Sequence, residues 1–250
     1  MNSKEVTDWI IDAGNIAIDY FRKGASWHIK ADDTFVSDAD KAVEDFLVEK
    51  IQKHYSDHRI IAEEGSRFDG EEFTWAIDPI DGTSAFVWGI PTWCISVGVL
   101  KNQKPYWGMV YFPLLQEIYT IEDGIAKRNS SPIQVTEVVT TNSLLCVSPR
   151  VLHQYNITFP GNVCSFASGV MHNCLVARGV AVAAVTLRPN LWDLAGVLPI
   201  LIAAGADVRY VSGKKLDLSE LIDSAASEPL IAGQSQQVDN VIQNVIRNKD

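Results

Sequence analysis

Trp75-Ala76-Ile77-Asp78-Pro79-Ile80-Asp81-Gly82-Thr83 is the stretch on which the reading of this chain turns. An apolar run delivers two carboxylates, three residues apart, into a Pro/Gly turn that ends in a hydroxyl. Asp78 and Asp81, with the Ile80 carbonyl between them, offer hard oxygen donors of the kind Mg2+ prefers. Gly82-Thr83-Ser84 then opens a short predicted helix. Backbone N–H groups at such a start form a phosphate cradle, and Gly82 allows close approach. Taken alone, the pattern also fits a plain surface turn, because Asp-Pro and Asp-Gly are common turn formers. Its company decides between them. Glu63-Glu64 upstream and Trp192-Asp193 downstream add carboxylates, and the set points to metal-assisted phosphate-ester hydrolysis.

Outward from this stretch, Val6, Trp9, Ile10, Ala13, Ile16, Ala17, Tyr20 and Phe21 have helical spacing, with Gly24 as a stop. A second helix is predicted after Ser37-Asp38, carrying Val43, Phe46, Leu47 and Ile51. Arg59–Ala62 and residues 74–77 read as strands ending on Glu63 and Asp78. Both acidic clusters then sit at carboxyl ends of strands, where α/β sheets hold ligands. Residues 93–100 and 105–112 form a predicted hairpin, and 116–121 pairs with Ile125–Arg128 across Asp123-Gly124.

After about residue 140 the pattern alternates. Strand Leu144–Val147 is followed by a helix near 149–155, a strand at 163–166 and a helix at 169–178. Strand Ala181–Thr186, a helix over 192–204 kinked at Pro199, and strand Asp207–Tyr210 complete the series. The expected class is mixed α/β. Residues 1–140 form an α+β lobe carrying most metal ligands, and 141–250 an α/β lobe contributing Asp193 and the substrate pocket. The polar stretch 129–142 marks the boundary.

Composition narrows the partners. The chain has 250 residues, 47% hydrophobic and 21% charged, enough apolar material for a core in one large domain or two small lobes. A net charge of −10 argues against nucleic acid or an anionic membrane as partner. It leaves room for an anionic small molecule, because bound cations invert the local field. Cys94, Cys146, Cys164 and Cys174 show no C-x-x-C spacing; Cys94 and Cys146 read as buried small hydrophobes. A reduced, cytoplasmic setting fits. The first residues lack a signal-peptide core, and no apolar run reaches the roughly 18 residues of a membrane span.

Three segments now carry a resemblance. Ile61-Ala62-Glu63-Glu64-Gly65, the run from Trp75 to Phe86, and Leu191-Trp192-Asp193-Leu194-Ala195-Gly196 resemble the inositol monophosphatase family. They match its E-E, D-P-[IL]-D-G-T and W-D-x-A-G signatures in order, and the likeness runs from the first helix to about Tyr210. It implies a layered αβαβα sandwich, a Mg2+-dependent phosphomonoesterase acting on a small polyol, sugar or amino-alcohol phosphate, a homodimer and sensitivity to Li+. Glu63, Asp78, Asp81, Asp193 and the Ile80 carbonyl would hold two or three Mg2+ ions. Glu63 and the Thr83 hydroxyl would orient and activate the nucleophilic water, and Asp40 would polarise Thr83. The amides of Gly82 and Thr83 would receive the phosphate, and Ser84 and Gly169 count among the substrate contacts. Lys30 matches a lysine near the metal-binding loop, and fits a solvated charge equally well.

Bland readings stand beside several of these. Glu64 reads as a supporting or surface carboxylate rather than a ligand. Outside its motif, Asp193 would be a helix cap. His54, His58, His153 and His172 show no metal-ligand spacing.

Departures from the family pattern bear on the substrate. Ala85 stands where the family often has Asn. Asn190 replaces a common His, and Thr186 a Glu that binds a sugar hydroxyl, seven residues before Asp193. Thr186 and Asn190 are therefore expected to govern leaving-group choice. Arg188 could contact a second anionic group or simply end a strand at the surface. Lys30-Ala31-Asp32-Asp33-Thr34-Phe35-Val36-Ser37-Asp38-Ala39-Asp40 and Gly89-Ile90-Pro91-Thr92-Trp93 are similar to the histidinol-phosphate phosphatase branch. Fructose-1,6-bisphosphatase and 3′-phosphoadenosine 5′-phosphate phosphatase are further alternatives, and a catalytically silent phosphate-binding relative is the non-enzyme one.

Overall fold

The computed structural model describes residues 1–31 and 33–249; Asp32 and Asp250, named or spanned above, lie outside the described residues. The expected first helix forms as α1 (Ser3–Lys23), capped by Asn2, whose side chain accepts from the Glu5 amide, and stopped at Gly24 with φ 79°. A short hairpin of β1 (Trp27–Ile29) and β2 (Phe35–Ser37), not foreseen in the sequence, leads into α2 (Asp38–His54). The two helices pack side by side and bury Trp9, Ile10, Val43, Leu47 and Ile51 on their shared inner stripe.

That stripe lies on an eight-stranded sheet. Its strands in chain order are β3 (Arg59–Ala62), β4 (Arg67–Phe68), β5 (Phe73–Asp81), β6 (Cys94–Lys101), β7 (Lys104–Phe112), β8 (Glu117–Glu122), β9 (Ile125–Arg128) and β10 (Ser131–Pro132). Across the sheet they run β10-β9-β8-β7-β6-β5-β3-β4, with only β3 and β5 paired in parallel. Both expected hairpins are present. Their turn residues, Asn102-Gln103 at φ 49° and 65° and Asp123-Gly124 at 52° and 75°, take the left-handed conformations that match strand twist.

The opposite face of this sheet is covered by α5 (Gly169–Ala177), α6 (Leu191–Ala195) and α7 (Leu198–Ala203). The intervening short helices are α3 (Thr83–Val87) and α4 (Val151–Gln154). Beyond this helical layer lies a second sheet of β11 (Leu144–Val147), β13 (Asn162–Cys164), β14 (Ala181–Thr186), β15 (Asp207–Tyr210) and β16 (Leu230–Gly233), ordered β13-β11-β14-β16-β15. A small pair, β12 (Tyr155–Ile157) with β17 (Ile246–Asn248), and α8 (Ser235–Asn240) close the outer side. Three apolar clusters fill the four interfaces between five layers, one of them packing both faces of the middle helices, in the αβαβα sandwich expected for the family. Among the described residues, no helix is long and apolar enough to cross a membrane.

Several expected elements shift. The predicted helix over 192–204 is two helices, broken at Gly196-Val197 rather than kinked at Pro199. Pro199 sits in the first turn of α7, where its missing N–H is tolerated, and α6 ends at Ala195, the residue that N–H would have bonded. The break also lets the backbone press on the sheet: a Cβ at Gly98 would fall 2.3 Å from the Ala195 carbonyl oxygen. The helix near 149–155 shrinks to the single turn α4, and the strand at 163–166 to β13. The strand over 74–77 does not stop at Asp78. It continues through Asp81, with its pairing to β6 interrupted between the two aspartates.

Candidate active site

That interruption in β5 is where the site begins. Asp78 and Asp81 are buried, and the irregular segment between them turns both carboxylates towards one cleft. The cleft, about 180 Å3, is lined by Glu63, Asp78, Ile80, Asp81, Thr83 and Asp193, with Thr34, Phe35, Gly82, Ser84 and Ala167 at its sides. Carboxylate oxygens of Asp78, Asp81 and Asp193 lie within 4.8 Å of one another. The structure thus gathers residues that are 115 positions apart in the chain.

Helix starts aim two of the acids. Asp193 is the third residue of α6, and its Oδ2 accepts from the Asn190 amide at 2.6 Å. Asp40 holds the same place in α2, where its Oδ2 accepts from the Ser37 amide at 2.9 Å and the Ser37 hydroxyl at 2.6 Å. These are capping boxes, so the bland reading of Asp193 as a cap is correct for one of its two oxygens. The other oxygen of Asp40 accepts from Thr83 Oγ1 at 3.3 Å. Thr83 Oγ1 also lies 3.1 Å from the Ile80 carbonyl, so its single proton has two alternative acceptors.

Asp81 ties the cleft to the second sheet's side of the molecule. Its Oδ2 accepts from the Ser168 hydroxyl and from the Val170 amide at 3.1 Å, at the start of α5. Gly82 makes this approach possible. It sits at φ 85°, and a Cβ there would fall 2.9 Å from Ser168 Cβ and 3.0 Å from the Ala167 carbonyl oxygen.

Glu63 stands on the turn after β3. Lys30 donates to Glu63 at 3.1 Å and to Glu64 at 2.6 Å, so Lys30 is a partnered group rather than a solvated one. Glu64 is the supporting carboxylate the sequence indicated. The turn itself is fixed from below by Glu44, a fully buried acid on α2. Its carboxylate accepts from the amides of Glu64 at 2.7 Å and Ser66 at 2.9 Å. From above, Arg67 donates to the Ala62 carbonyl and lays its guanidinium 5.2 Å from the Trp192 ring, next to Asp193.

Electrostatically the cluster is starved of positive charge. Burial, then the charges of Glu63, Asp81 and Asp193, pushes the Asp78 carboxyl well above its ordinary range. Burial likewise raises Asp193 to about 7, against the Asn190 hydrogen bonds. It raises Asp81 to about 6, against Ser168 and the α5 amides. Glu63 is pushed to about 8 by burial and by Asp193 and Glu64, with Lys30 opposing. Asp78 Oδ1 is moreover buried without any hydrogen-bond partner. An orphaned carboxylate oxygen inside a like-charged oxygen cluster fits a divalent cation.

Other expected positions stand differently. Thr186 closes β14, and a Cβ on Gly169 would lie 3.7 Å from its methyl group and 3.9 Å from Asp81, so those three are neighbours. Asn190 reaches the site through Asp193. Arg188 is exposed, has φ 45°, and donates through Nε to the Ala226 carbonyl at 3.2 Å; it does not line the cleft. His172 is a buried core residue whose Nε2 accepts the Phe166 amide.

Sequence reasoning missed Ser168, Arg67 and Glu44. Ser168-Gly169 ahead of an apolar run is an N-cap signal. The only signal for Glu44 was its place among the apolar positions of α2, one turn from Asp40, and it does not reveal what the carboxylate holds. Glu44→Ala leaves two partly buried N–H groups without their carboxylate acceptor and should destabilise the fold by about 1–3 kcal/mol. It should also raise the Mg2+ concentration needed for half-maximal turnover, because Glu63 loses its footing. Thermal unfolding and a Mg2+ titration check both effects, and an unchanged Mg2+ requirement would restrict Glu44 to stability.

Comparison with known proteins agrees with this geometry. Residues 4–243 match the model of the inositol monophosphatase family. "Inositol monophosphatase 1" of Solanum lycopersicum is 31% identical over 233 residues, covering 84% of this chain and 85% of that protein. "Histidinol-phosphatase" of Chlorobaculum parvum is 30% identical over 205 residues, covering 77% and 79%. Among solved structures, a Thermotoga maritima IMPase superposes with a TM-score of 0.84 at 25% identity, covering 97% of this chain and 96% of that one.

Proposed function

The chain belongs to the inositol monophosphatase family of metal-dependent phosphoric monoester hydrolases, and from that premise we propose that its carboxylate cleft hydrolyses the phosphate ester of a small alcohol with Mg2+ as the metal. The observation that carries this reading is the convergence of Asp78, Asp81 and Asp193 around a buried oxygen with no partner. Glu63, Asp78, Asp81, Asp193 and the Ile80 carbonyl would hold the ion or ions. When bound, the metal supplies positive charge to phosphate oxygens and leaving alkoxide, and lowers the pKa of water in the site.

The chain's own groups then position and move protons. Thr83 donates its hydroxyl proton to Asp40, which leaves the Thr83 oxygen free to accept from the attacking water. Glu63 is the second acceptor for that water. Asp40 is raised to about 6 by burial against its Ser37 hydrogen bonds, so it is mostly ionised at neutral pH and able to hold Thr83 in this orientation. The amides of Gly82 and Thr83, with Ser84 beside them, receive the phosphate at the cleft wall. A loose phosphoryl-transfer transition state asks mainly for such positioning and charge neutralisation.

Phosphate release from glycerol 2-phosphate is the direct test. Release is expected with Mg2+, is expected to stop in EDTA, and should return when Mg2+ is restored. No release with any divalent metal would instead favour a silent phosphate-binding relative. On the alcohol side the reading is a polyol or sugar phosphate, with Gly169, Thr186 and Asn190 near the leaving group. Histidinol phosphate is the second reading, supported by the neutral Thr186 and the Chlorobaculum parvum relative. Arg188, bonded to the Ala226 carbonyl and outside the cleft, gives no support to a bisphosphate. The division into lobes 1–140 and 141–250, a homodimer, Li+ inhibition and a cytoplasmic setting belong to the same proposal.

A further inference from the structure

The 62–66 turn and helix α6 bring acidic residues that are distant in the chain to one cleft, and one side chain touches both elements. Arg67 opens β4, directly across from Ile61 in the antiparallel pair with β3, at the strand end that delivers Glu63. Its Nη1 donates to the carbonyls of Ala62 and Ser66, the latter at 3.0 Å, and these residues are the two ends of the turn. The same guanidinium lies over the Trp192 ring, 5.2 Å from its centroid, and Trp192 precedes Asp193 on α6.

This link acts by position rather than by charge. Both hydrogen bonds go to carbonyls, whereas the cation that meets the Glu63 carboxylate is Lys30, at 3.1 Å. Position matters most for Glu63. Asp78, Asp81 and Asp193 already converge within 4.8 Å, and Glu63 is not one of that trio. It is carried on the turn, and Asp193 is among the charges that repel it. A fixed distance between the turn and α6 therefore decides whether an ion held by the trio also finds Glu63. A guanidinium suits this role, because its planar fork holds carbonyl oxygens while its face stacks on an indole. A lysine ammonium has no such face.

We propose that Arg67 is a positioning residue for metal binding, latching the turn that carries Glu63 to the helix that carries Asp193 and thereby setting the affinity of the cleft for its divalent ion. The role presupposes the metal-dependent phosphatase reading of the cleft, yet Arg67 itself lines no part of it. It acts through Glu63 and Asp193 and touches no reacting atom.

Mg2+ binding measured by calorimetry without substrate reads the latch directly. The Mg2+ dependence of phosphate release from glycerol 2-phosphate reads its effect on turnover. Arg67→Ala should weaken Mg2+ binding by about tenfold, the lower end of what the partners of metal ligands contribute, and leave kcat at saturating Mg2+ close to the wild-type value. Arg67→Lys keeps the charge and should recover little of that loss. Trp192→Leu should weaken Mg2+ binding as well, and Arg67→Ala should cost little more in that background, because both changes break the same link. Thermal midpoints in EDTA separate the latch from folding. A residue that serves only stability would lower the midpoint and leave Mg2+ binding unchanged.

Mg2+ binding at wild-type strength in Arg67→Ala, its recovery in Arg67→Lys, or fully additive losses in the double variant would overturn the latch. Mg2+ binding that depends on Arg67 in a chain that releases no phosphate would support the latch and overturn the hydrolase reading alone. A wild-type chain that neither binds Mg2+ nor releases phosphate would sink the metal reading of the cleft, and the latch with it.

Discussion

Asp78→Asn is expected to lower phosphate-ester turnover by about a thousandfold or more and, in EDTA, to raise the thermal midpoint. The first effect follows from removing one anionic donor from the cluster of Asp78, Asp81 and Asp193. Charge stabilisation by a bound cation is worth several kcal/mol, and about 4 kcal/mol corresponds to a thousandfold. The second effect runs the other way because the folded, metal-free protein carries this carboxylate at a loss. Asp78 is only 1% exposed, its Oδ1 has no hydrogen-bond partner, and Glu63, Asp81 and Asp193 repel its charge. Asparagine keeps the shape and drops the charge. For a domain of this size about 1 kcal/mol moves the midpoint by 2–4 °C, so a rise of several degrees is expected. The opposite signs are diagnostic, since a purely structural aspartate would lose stability along with activity. Near-wild-type turnover at saturating Mg2+ would end the assignment of Asp78 as a ligand. Asp81→Asn makes a useful contrast. Its Oδ2 also accepts from Ser168 and Val170, and an amide oxygen can keep those bonds, so the activity loss should be similar and the stability gain smaller.

Local chemistry explains how far the sequence went towards this fold. Long amphipathic helices were readable because their periodicity persists: α1 and α2 form where Val6 to Phe21 and Val43 to Ile51 predict them. The Asp123-Gly124 turn was readable because few residue pairs tolerate two left-handed positions. Elements made by tertiary contact were not. Leu230–Gly233 is a four-residue apolar run with no period of its own, yet it becomes a fully buried strand of the second sheet. The β1–β2 hairpin alternates only over the three residues Trp27-His28-Ile29, too short a run to read as a strand, and its apolar members are exposed. At Pro199 the sequence located a disturbance correctly and misplaced it. Proline acts on the carbonyl four residues earlier, so the helix ends before the proline rather than at it.

The site divides along the same line. Asp78, Ile80, Asp81 and Thr83 were legible because their chemistry is packed into one turn. Glu63 and Asp193 were legible as carboxylates accompanying that turn, but only the resemblance made them ligands, since nothing local distinguishes a capping Asp at α6 from a ligand. The structure shows Asp193 in both positions, with one oxygen in the capping box and the carboxylate as a whole in the acidic cluster. Supporting residues were the hardest to see. Glu44 and Arg67 act on the backbone of the 62–66 turn, and a contact to a backbone amide or carbonyl leaves no mark on the sequence of the partner.

The same starved electrostatics make stability depend on pH in a direction that Mg2+ should reverse. Unfolded carboxyls titrate near 4, whereas Asp193 is raised to about 7 and Glu63 to about 8, burial being the first cause for both. A carboxyl raised on folding holds its proton more readily in the folded state. Its favourable contribution is therefore present at low pH and is lost as pH climbs from the unfolded to the folded value. His172 opposes this only on the acid side. Buried and lowered to about 4, it stabilises above 6.5 and loses that contribution as pH falls, so it is silent above neutrality. The clean window is thus pH 6.5 to 8.5. In EDTA the thermal midpoint should fall across it, since a tenfold change in proton affinity is worth about 1.4 kcal/mol and the whole margin is about 5–15 kcal/mol. With millimolar Mg2+ the increment over EDTA should instead grow with pH, because the ion binds the ionised carboxylates and competes with their protons. Differential scanning fluorimetry at three pH values, with and without Mg2+, measures both slopes. A midpoint that stays level in EDTA across this window, or a Mg2+ increment that shrinks with pH, would mean that these carboxylates are already neutralised inside the protein, and the cation would lose its place in the cleft.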